Sequence, residues 1–406
     1  MAFDVSDQIR RYNAGRDLPR LQRKYDAMRA SPFAFLRGTC HLFYARMARG
    51  GVHKTAPSTW ICGDLHFENF GSYQGDNRLA YFDINDFDES ALAPATWDLL
   101  RLLASVQVGA ATLQVGDGKA RRLCETFVEA YADALALAKA YWVERDTATG
   151  LVHDLLDDVR GRGRAAFVAR RTRVDAGKRV LNVDGGKALP ATAAQRECVV
   201  AFMRAFAKSQ SDRSFYEVLD VARRIAGTGS LGVERYVILV RGAGANGRNE
   251  LLDLKASSAS SLAPRLQLAQ PKFASEASRI VAVQRRLQAV PVAFLHAVRF
   301  ANERGVDTPG VLRGLQPSED RIELARAGGD MKSLATLLAT IGRIVAWAQL
   351  RSAGQGGSAS VDELVDFGRR TNWRAPLLTA ARDCAAQVRA DARTYNAAYD
   401  DGFFAG

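Results

Sequence analysis

Apolar positions recur at helical spacing toward both ends of this chain and at strand spacing in its middle. Residues 5–29 form a charged stretch with Ile9, Tyr12, Leu18, Leu21, Tyr25 and Met28 on one side, which predicts a helix. Ser31-Pro32 opens a second helix, because proline suits a first helical position. Phe33, Phe35, Leu36, Leu42, Phe43 and Met47 give that helix its apolar faces, and Gly50-Gly51 ends it. Pro94-Ala95-Thr96-Trp97-Asp98 starts another, and helical patterning continues to about Val143. Residues 144–195 are less regular. Their arginines (Arg160, Arg162, Arg164, Arg170, Arg171, Arg173) read as a mobile solvated loop before a phosphate-facing patch.

From about Asp220 the period changes. Gly227-Thr228-Gly229-Ser230-Leu231-Gly232 leads into Tyr236-Val237-Ile238-Leu239-Val240, then a turn-like stretch from Gly242 to Gly247, then Glu250 to Lys255. That predicts strand, glycine loop, strand, hairpin turn, strand. A helix follows from about Pro271 to Val290, with short strands near Val311-Leu312 and Arg321 to Leu324. Long helices cover Met331–Arg351 and roughly 361–400.

Two short apolar runs end in acids and amides. Trp60-Ile61-Cys62 leads into Gly63-Asp64-Leu65-His66-Phe67-Glu68-Asn69, and Leu79-Ala80-Tyr81-Phe82 leads into Asp83-Ile84-Asn85-Asp86-Phe87-Asp88-Glu89. Strands that end in carboxylates place them at a rim where a ligand can reach. One such cluster alone is an ordinary Asx turn or helix cap. Two of them, with Asp64 and Asn69 five apart and Asp83 fourteen further on, suit phosphoryl transfer. That chemistry uses one carboxylate to orient a hydroxyl, and an amide with a second carboxylate to hold Mg²⁺.

Gly-x-Gly-x-x-Gly alone is a weak signal. A dinucleotide-binding turn opens a helix, whereas the residues after Gly232 read as a strand. A glycine loop between antiparallel strands, followed by a strand that ends in Lys255, is instead the way kinases cover ATP.

The segment Gly63 to Asn69 resembles the catalytic loop of aminoglycoside and choline kinases and, more distantly, of protein kinases. This resemblance implies ATP and Mg²⁺, with Asp64 as the catalytic aspartate and Asn69 as a metal ligand. Asp83 takes the second metal position, with Asp86 as the fallback. It also implies that Gly227, Gly229, Ser230 and Gly232 cover the nucleotide phosphates, that Lys255 holds them, and that Glu276 pairs with the lysine. The chain as a whole resembles the bacterial family known as domain of unknown function 2252, which is grouped with kinase-like folds. Ser31 to Gly38, Gly63 to Gly71, Phe82 to Glu89, Trp97 to Leu102 and Gly227 to Lys255 carry that likeness. The chain departs from the family pattern at Lys255-Ala256-Ser257, where Lys-Glu-Ala is usual, and at Ala348-Gln349-Leu350, where a histidine is usual.

The implied fold is α+β and two-lobed, with a small antiparallel-β lobe and a larger, mainly helical lobe. Because the acids precede the glycine loop, it implies a circular permutation. The expected parts are a helical catalytic lobe over 1–215, a β-rich nucleotide-binding lobe over 216–328, and completing helices over 329–406. In that arrangement the Met331–Arg351 helix stands in for the one that normally runs into the catalytic loop.

Composition narrows the alternatives. Five scattered cysteines, Cys40, Cys62, Cys124, Cys198 and Cys384, read as reduced core residues. Met1 to Asp7 has no secretory pattern, and Leu334 to Leu350 is interrupted by Thr336, Thr340, Arg343 and Gln349, so a cytoplasmic protein without a membrane span is expected. The +12 net charge favours anionic partners such as a nucleotide, but no interleaved aromatic platform points to nucleic acid.

The expected function is an ATP- and Mg²⁺-dependent phosphotransferase acting on a small-molecule or other non-protein hydroxyl. The alternatives are a catalytically weak nucleotide-binding pseudokinase, an AMP-transferring relative, and a phosphohydrolase built on Asp64, His66, Glu68, Asp83 and Asp86. His66 is expected to orient its loop by hydrogen bonding.

Overall fold

The structure, a computed structural model, describes residues 3–47, 51–161, 163–243, 249–316 and 321–405. The first expected helix is two, α1 (Val5–Tyr12) and α2 (Leu18–Arg29), separated at Gly15 (φ +79°), with Asp17 capping α2. The second is also two, α3 (Pro32–Gly38) and α4 (Cys40–Arg46), broken at Thr39; Gly50 lies outside the described residues.

Four short strands then carry the acidic segments. β1 (Ser58–Ile61) pairs with β4 (Ala91–Pro94), and β2 (Phe70–Gln74) pairs with β3 (Ala80–Ile84), both antiparallel. Helices α5 (Thr96–Val108) and α6 (Asp117–Ala136) follow, so helix ends before Val143.

The stretch expected to be irregular contains α7 (Gly150–Gly161), α8 (Arg164–Ala169), the hairpin β5 (Thr172–Asp175) and β6 (Lys178–Leu181), β7 (Ala188–Pro190) and α9 (Ala193–Ala207). Arg162 lies outside the described residues. Next come β8 (Val218–Arg224), β9 (Arg235–Val240), β10 (Glu250–Ala256), α10 (Glu276–Leu287), β11 (His296–Ala301) and β12 (Asp307–Gly314). Arg321 to Leu324 is no strand: Arg321 makes a single bridge to Gly71, and a 3₁₀ turn begins at Leu324. Helices α11 (Met331–Arg351), α12 (Val361–Arg369) and α13 (Arg374–Asp400) close the chain.

The fold is therefore α+β. Its main sheet is antiparallel, in the order β11-β12-β10-β9-β8-β7. β9 shows why its sequence is apolar without interruption, because both of its faces are covered. Tyr236, Ile238 and Val240 meet Val199 and Met203 of α9, while Val237 and Leu239 meet Val168 and Leu181. Residues Gly244 to Gly247 of the expected hairpin turn lie outside the described residues, but the flanking strands pair from Glu250 with Val240 to Lys255 with Arg235.

A larger core joins α5, α6, α11 and α13 with the acid-bearing strands. Helix α11 is long and apolar enough to cross a membrane by length and composition alone. It lies buried against α6, which gives its apolar surface an internal partner.

Candidate active site

After β1 the chain turns through Cys62-Gly63 into Asp64. A buried carboxylate holds the turn: Asp98, in the first turn of α5, accepts from the Cys62 and Gly63 amides, each at 2.9 Å. The Tyr44 hydroxyl donates to the Gly63 carbonyl at 2.6 Å. Gly63 has φ +85°, and a Cβ there would meet the Glu89 carbonyl oxygen at 2.2 Å, so only glycine fits. Asp98 has no ion pair among the described residues, and burial pushes its carboxyl up to about 6.

One turn further along α5, Arg101 reaches Asp64. It is fully buried, and its Nε and Nη2 donate to Asp64 Oδ1 at 3.0 and 2.6 Å. Nη2 also donates to the Leu36 carbonyl at 2.7 Å. Asp64 Oδ2 is left without a protein hydrogen bond among the described residues, on a side chain that is 22% exposed. The carboxylate is thus fixed by one oxygen and open at the other, as a group that receives a proton needs to be.

Asn69 Nδ2 donates to the Asp64 carbonyl at 3.0 Å, which commits the amide nitrogen inward. The Asn69 carbonyl accepts from the Asn85 amide at 3.0 Å, tying the two acidic segments together.

Asp83 and Asp86 separate. Asp83 sits on β3 facing the helical core, where Oδ1 accepts from the Ile84 amide at 2.8 Å. Its Oδ2 accepts from the Ala289 amide and Arg351 Nη2, each at 3.2 Å. With both oxygens engaged and the residue 3% exposed, Asp83 is buried away from the cleft and does not line it. Asp86, beyond the end of the strand, does line it beside Asn69. Burial works against the charge of Asp86, but the positive charges of Lys255, Arg313 and Arg235 hold its carboxyl below the usual range.

The glycine loop lies between the adjacent strands β8 and β9, and Lys255 is near the end of β10. Lys255 Nζ donates to Ser230 Oγ at 2.8 Å and forms an ion pair with Asp88. Glu276 is not its partner. That glutamate is in the first turn of α10, where its Oε2 accepts from Arg279 Nε at 2.7 Å. Arg279 in turn donates to the Ser90 carbonyl and, at 2.9 Å, to the Asp88 carbonyl, so α10 meets the acidic segment through a cation.

The N-terminal helices support the loop from outside. Arg16 Nη1 donates to the Gly229 and Leu231 carbonyls at 2.8 and 3.1 Å, the Asp17 amide to Gly232 at 3.0 Å, and buried Lys24 to Gly229 at 3.3 Å.

Among the expected residues, Asp64, Asn69, Asp86, Gly227, Gly229, Ser230 and Lys255 line one cleft of ≈ 70 Å³. Gly232 anchors the loop behind it, while Asp83 and Glu276 stand elsewhere.

The phosphohydrolase set does not assemble. Glu68 is paired with Arg37, Asp83 is in the core, and no three His, Cys, Asp or Glu side chains among the described residues form a metal cluster. His66 is buried, edge-on to Phe33, with Nδ1 unpartnered. Its role in the loop is packing and not hydrogen bonding, and burial holds its pKa well below the usual value.

Sequence reading missed Asp88, Asp98, Arg101 and Arg321. Two of them leave a signal: Asp98 and Arg101 are three apart at the start of a helix, so both face one loop. Asp88 is two residues past Asp86, on the segment already singled out, but nothing local marks it as the partner of Lys255.

No curated protein and no solved structure matches this chain. A family match extends over residues 16–398, which takes in both acidic segments, the glycine loop, Lys255 and the helices behind them. The chain therefore belongs to a family of uncharacterized proteins conserved in bacteria (DUF2252).

Proposed function

We propose that this protein is an ATP- and Mg²⁺-dependent phosphotransferase acting on a small-molecule or other non-protein hydroxyl. In this reading the main sheet and the helical part are two lobes of a circularly permuted kinase-like fold. Residues 216–328 form the nucleotide-binding lobe, between catalytic-lobe segments 1–215 and 329–406. One observation carries the proposal: the glycine loop and Lys255, from the middle of the chain, share a cleft with Asp64, Asn69 and Asp86 from its beginning.

The donor set fits Mg²⁺, a hard cation that takes one or two protein oxygens and completes its shell from phosphates and water. Asn69 and Asp86 would hold it, and when bound it neutralises charge on the transferring phosphoryl group. Asp83, with its oxygens taken by two amides and Arg351, does not fit that role.

The chain's own residues supply the rest. Asp64 Oδ2 accepts the acceptor's hydroxyl hydrogen while Arg101 holds the other oxygen still. The acceptor oxygen bonds to the γ-phosphorus, the bond to the β–γ bridging oxygen breaks, the proton passes to Asp64, and ADP leaves. Lys255 and the amides of Gly229 to Gly232 face the α- and β-phosphates.

The cleft is far smaller than the roughly 300–1,000 Å³ of ordinary ligand sites. Nucleotide entry therefore requires Asp88 to release Lys255 and the walls to part. The Lys255–Asp88 pair also favours a second reading, in which the lysine stays sequestered and the protein binds nucleotide with little or no transfer.

ATP consumption with Mg²⁺ across a panel of hydroxyl metabolites separates the two. Asp64→Asn should cut transfer by about 10²–10⁴-fold and leave nucleotide affinity nearly unchanged. Wild-type protein that binds ATP yet turns over no acceptor supports the second reading, and label from the α-phosphate on a product identifies AMP transfer.

A further inference from the structure

A second cavity, of ≈ 280 Å³, adjoins the acidic cleft and shares Asn69, Asp86, Gly227, Ser230 and Arg321 with it. Strands β8, β9 and β12 each turn an arginine into this chamber, and all three gather on Asp253 of β10. Arg224 Nη1 is 2.7 Å from Asp253 Oδ2, Arg235 Nη2 2.6 Å and Arg313 Nε 3.6 Å; the four side chains are 11%, 7%, 13% and 0% exposed. Asp253 thus contacts all three buried guanidinium groups, and Asp86 adds a second negative charge near Arg235 and Arg313. Arg224 Nη1 is paired with Asp253, and its Nη2 donates to the Gln316 carbonyl at 2.6 Å.

Arg170 and Arg321 add positive charge at the walls, and Arg321 has no ion pair among the described residues. The carboxylates lining the chamber are Asp86, at the mouth shared with the acidic cleft, and Asp184.

An excess of buried cations is costly unless an anion completes it. The guanidinium fork matches phosphate oxygens two at a time. A nucleobase would instead want apolar walls on either side of its ring. Here the lining interleaves Arg224, Arg235 and Arg313 of the sheet with Leu181, Ile225, Val237 and Leu315, so no wholly apolar slot is formed.

We propose that this chamber is an oligophosphate-binding site, which holds a chain of two or more phosphate groups by its arginines without needing a nucleoside. The end of the chain lies at Asn69 and Asp86, where the two cavities join. Selectivity for an anionic ligand then resides in the phosphate chain and not in the base. The inference does not rest on Asp64 being a catalyst, since a protein that never transfers phosphate would bind the same anion.

Titration calorimetry on the full chain tests it, with sodium tripolyphosphate, ATP and adenosine as ligands in metal-free buffer. Tripolyphosphate should bind nearly as tightly as ATP, and adenosine should not bind measurably. Arg170→Gln combined with Arg321→Gln removes two cations that hold no carboxylate partner among the described residues. That pair should weaken tripolyphosphate about tenfold or more at unchanged melting temperature. Lys255→Met, whose side chain lines the acidic cleft and not the chamber and is already paired with Asp88, should weaken it clearly less than the double variant does.

A loss in Lys255→Met as large as in the double variant would place the anion in the acidic cleft and overturn the proposal. So would adenosine binding as tightly as ATP, or folded wild-type protein that ignores tripolyphosphate. Turnover by Asp64→Asn is a separate measurement, so this inference and the phosphotransferase reading can fail independently.

Discussion

The acid-bearing wall of the cleft hangs from helix α5, whereas the glycine loop opposite hangs from the N-terminal helices. Asp98 and Arg101 of α5 are buried and bond to Cys62, Gly63 and Asp64. Arg16 and Lys24 grip the carbonyls of Gly229 and Leu231 from α2 and the turn before it. The first wall is continuous with the main hydrophobic core, so it moves only if the core moves. The second is tied to α2 and the turn before it by a few hydrogen bonds; α2 itself joins the core through Leu21, Tyr25 and Met28, so what can let go at modest cost is those bonds and not the helix. A site that must open to admit a triphosphate can keep its reacting carboxylate rigid and let the loop yield.

Two glycines, one per wall, test this contrast most sharply. Gly63→Ala drives a Cβ to 2.2 Å from the backbone oxygen of Glu89, which has nowhere to go. It should cost about 3 kcal/mol or more in denaturant unfolding, or leave the chain unfolded. A cost below that of the glycine-loop variant described below would refute the rigid-wall account.

Next in size, Asp98→Asn keeps one acceptor for two buried amides and should cost about 2 kcal/mol. The pH dependence has a definite sign. The folded carboxyl titrates near 6, above the roughly 3.9 of an unfolded aspartate, so the native state binds the extra proton. Stability conferred by the protonated form is complete below about pH 4 and declines as pH rises toward 6. In Asp98→Asn that decline should flatten, as urea midpoints measured between pH 4 and 7 would reveal.

Smaller again, Gly232→Ala also sits at positive φ, +84°, but its Cβ meets Arg16 Cβ at 2.9 Å, on a segment able to shift. About 1–2 kcal/mol is expected, mostly from backbone strain. Amide exchange should quicken in the glycine loop and not around Asp64. Faster exchange at both walls would erase the comparison.

The smallest effect is expected at Glu276→Ala. Its pair with Arg279 is an i,i+3 contact on a glutamate 39% exposed, so a change under about 0.5 kcal/mol is anticipated. ATP affinity should not move, because Asp88 and not Glu276 meets Lys255. A clear loss of ATP binding would restore Glu276 to the site.

What the chain wrote locally could be read locally. The α+β class, helix α11, the strands around the glycine loop and the acidic character of both loops follow from periodicity and from short-range turn chemistry, which depend on neighbours a few residues away. The arginine run after residue 160 misled for a related reason. Charge without apolar periodicity reads as a solvated loop, yet the hairpin and α8 bring Arg170 and Arg171 to the wall of a cavity.

Choices between equivalent local candidates were settled only in three dimensions. Asp83 and Asp86 differ by three residues and share one composition, but Arg351, some 270 residues away in sequence, claims the first, while the second passes the strand end and enters the cleft. Lys255 takes Asp88 over Glu276, and Arg101 meets Asp64, because a charge bonds to whichever partner the packed core brings within about 3 Å. Pairings between distant side chains carry no signature in a single sequence, since electrostatics acts through space and not along the backbone.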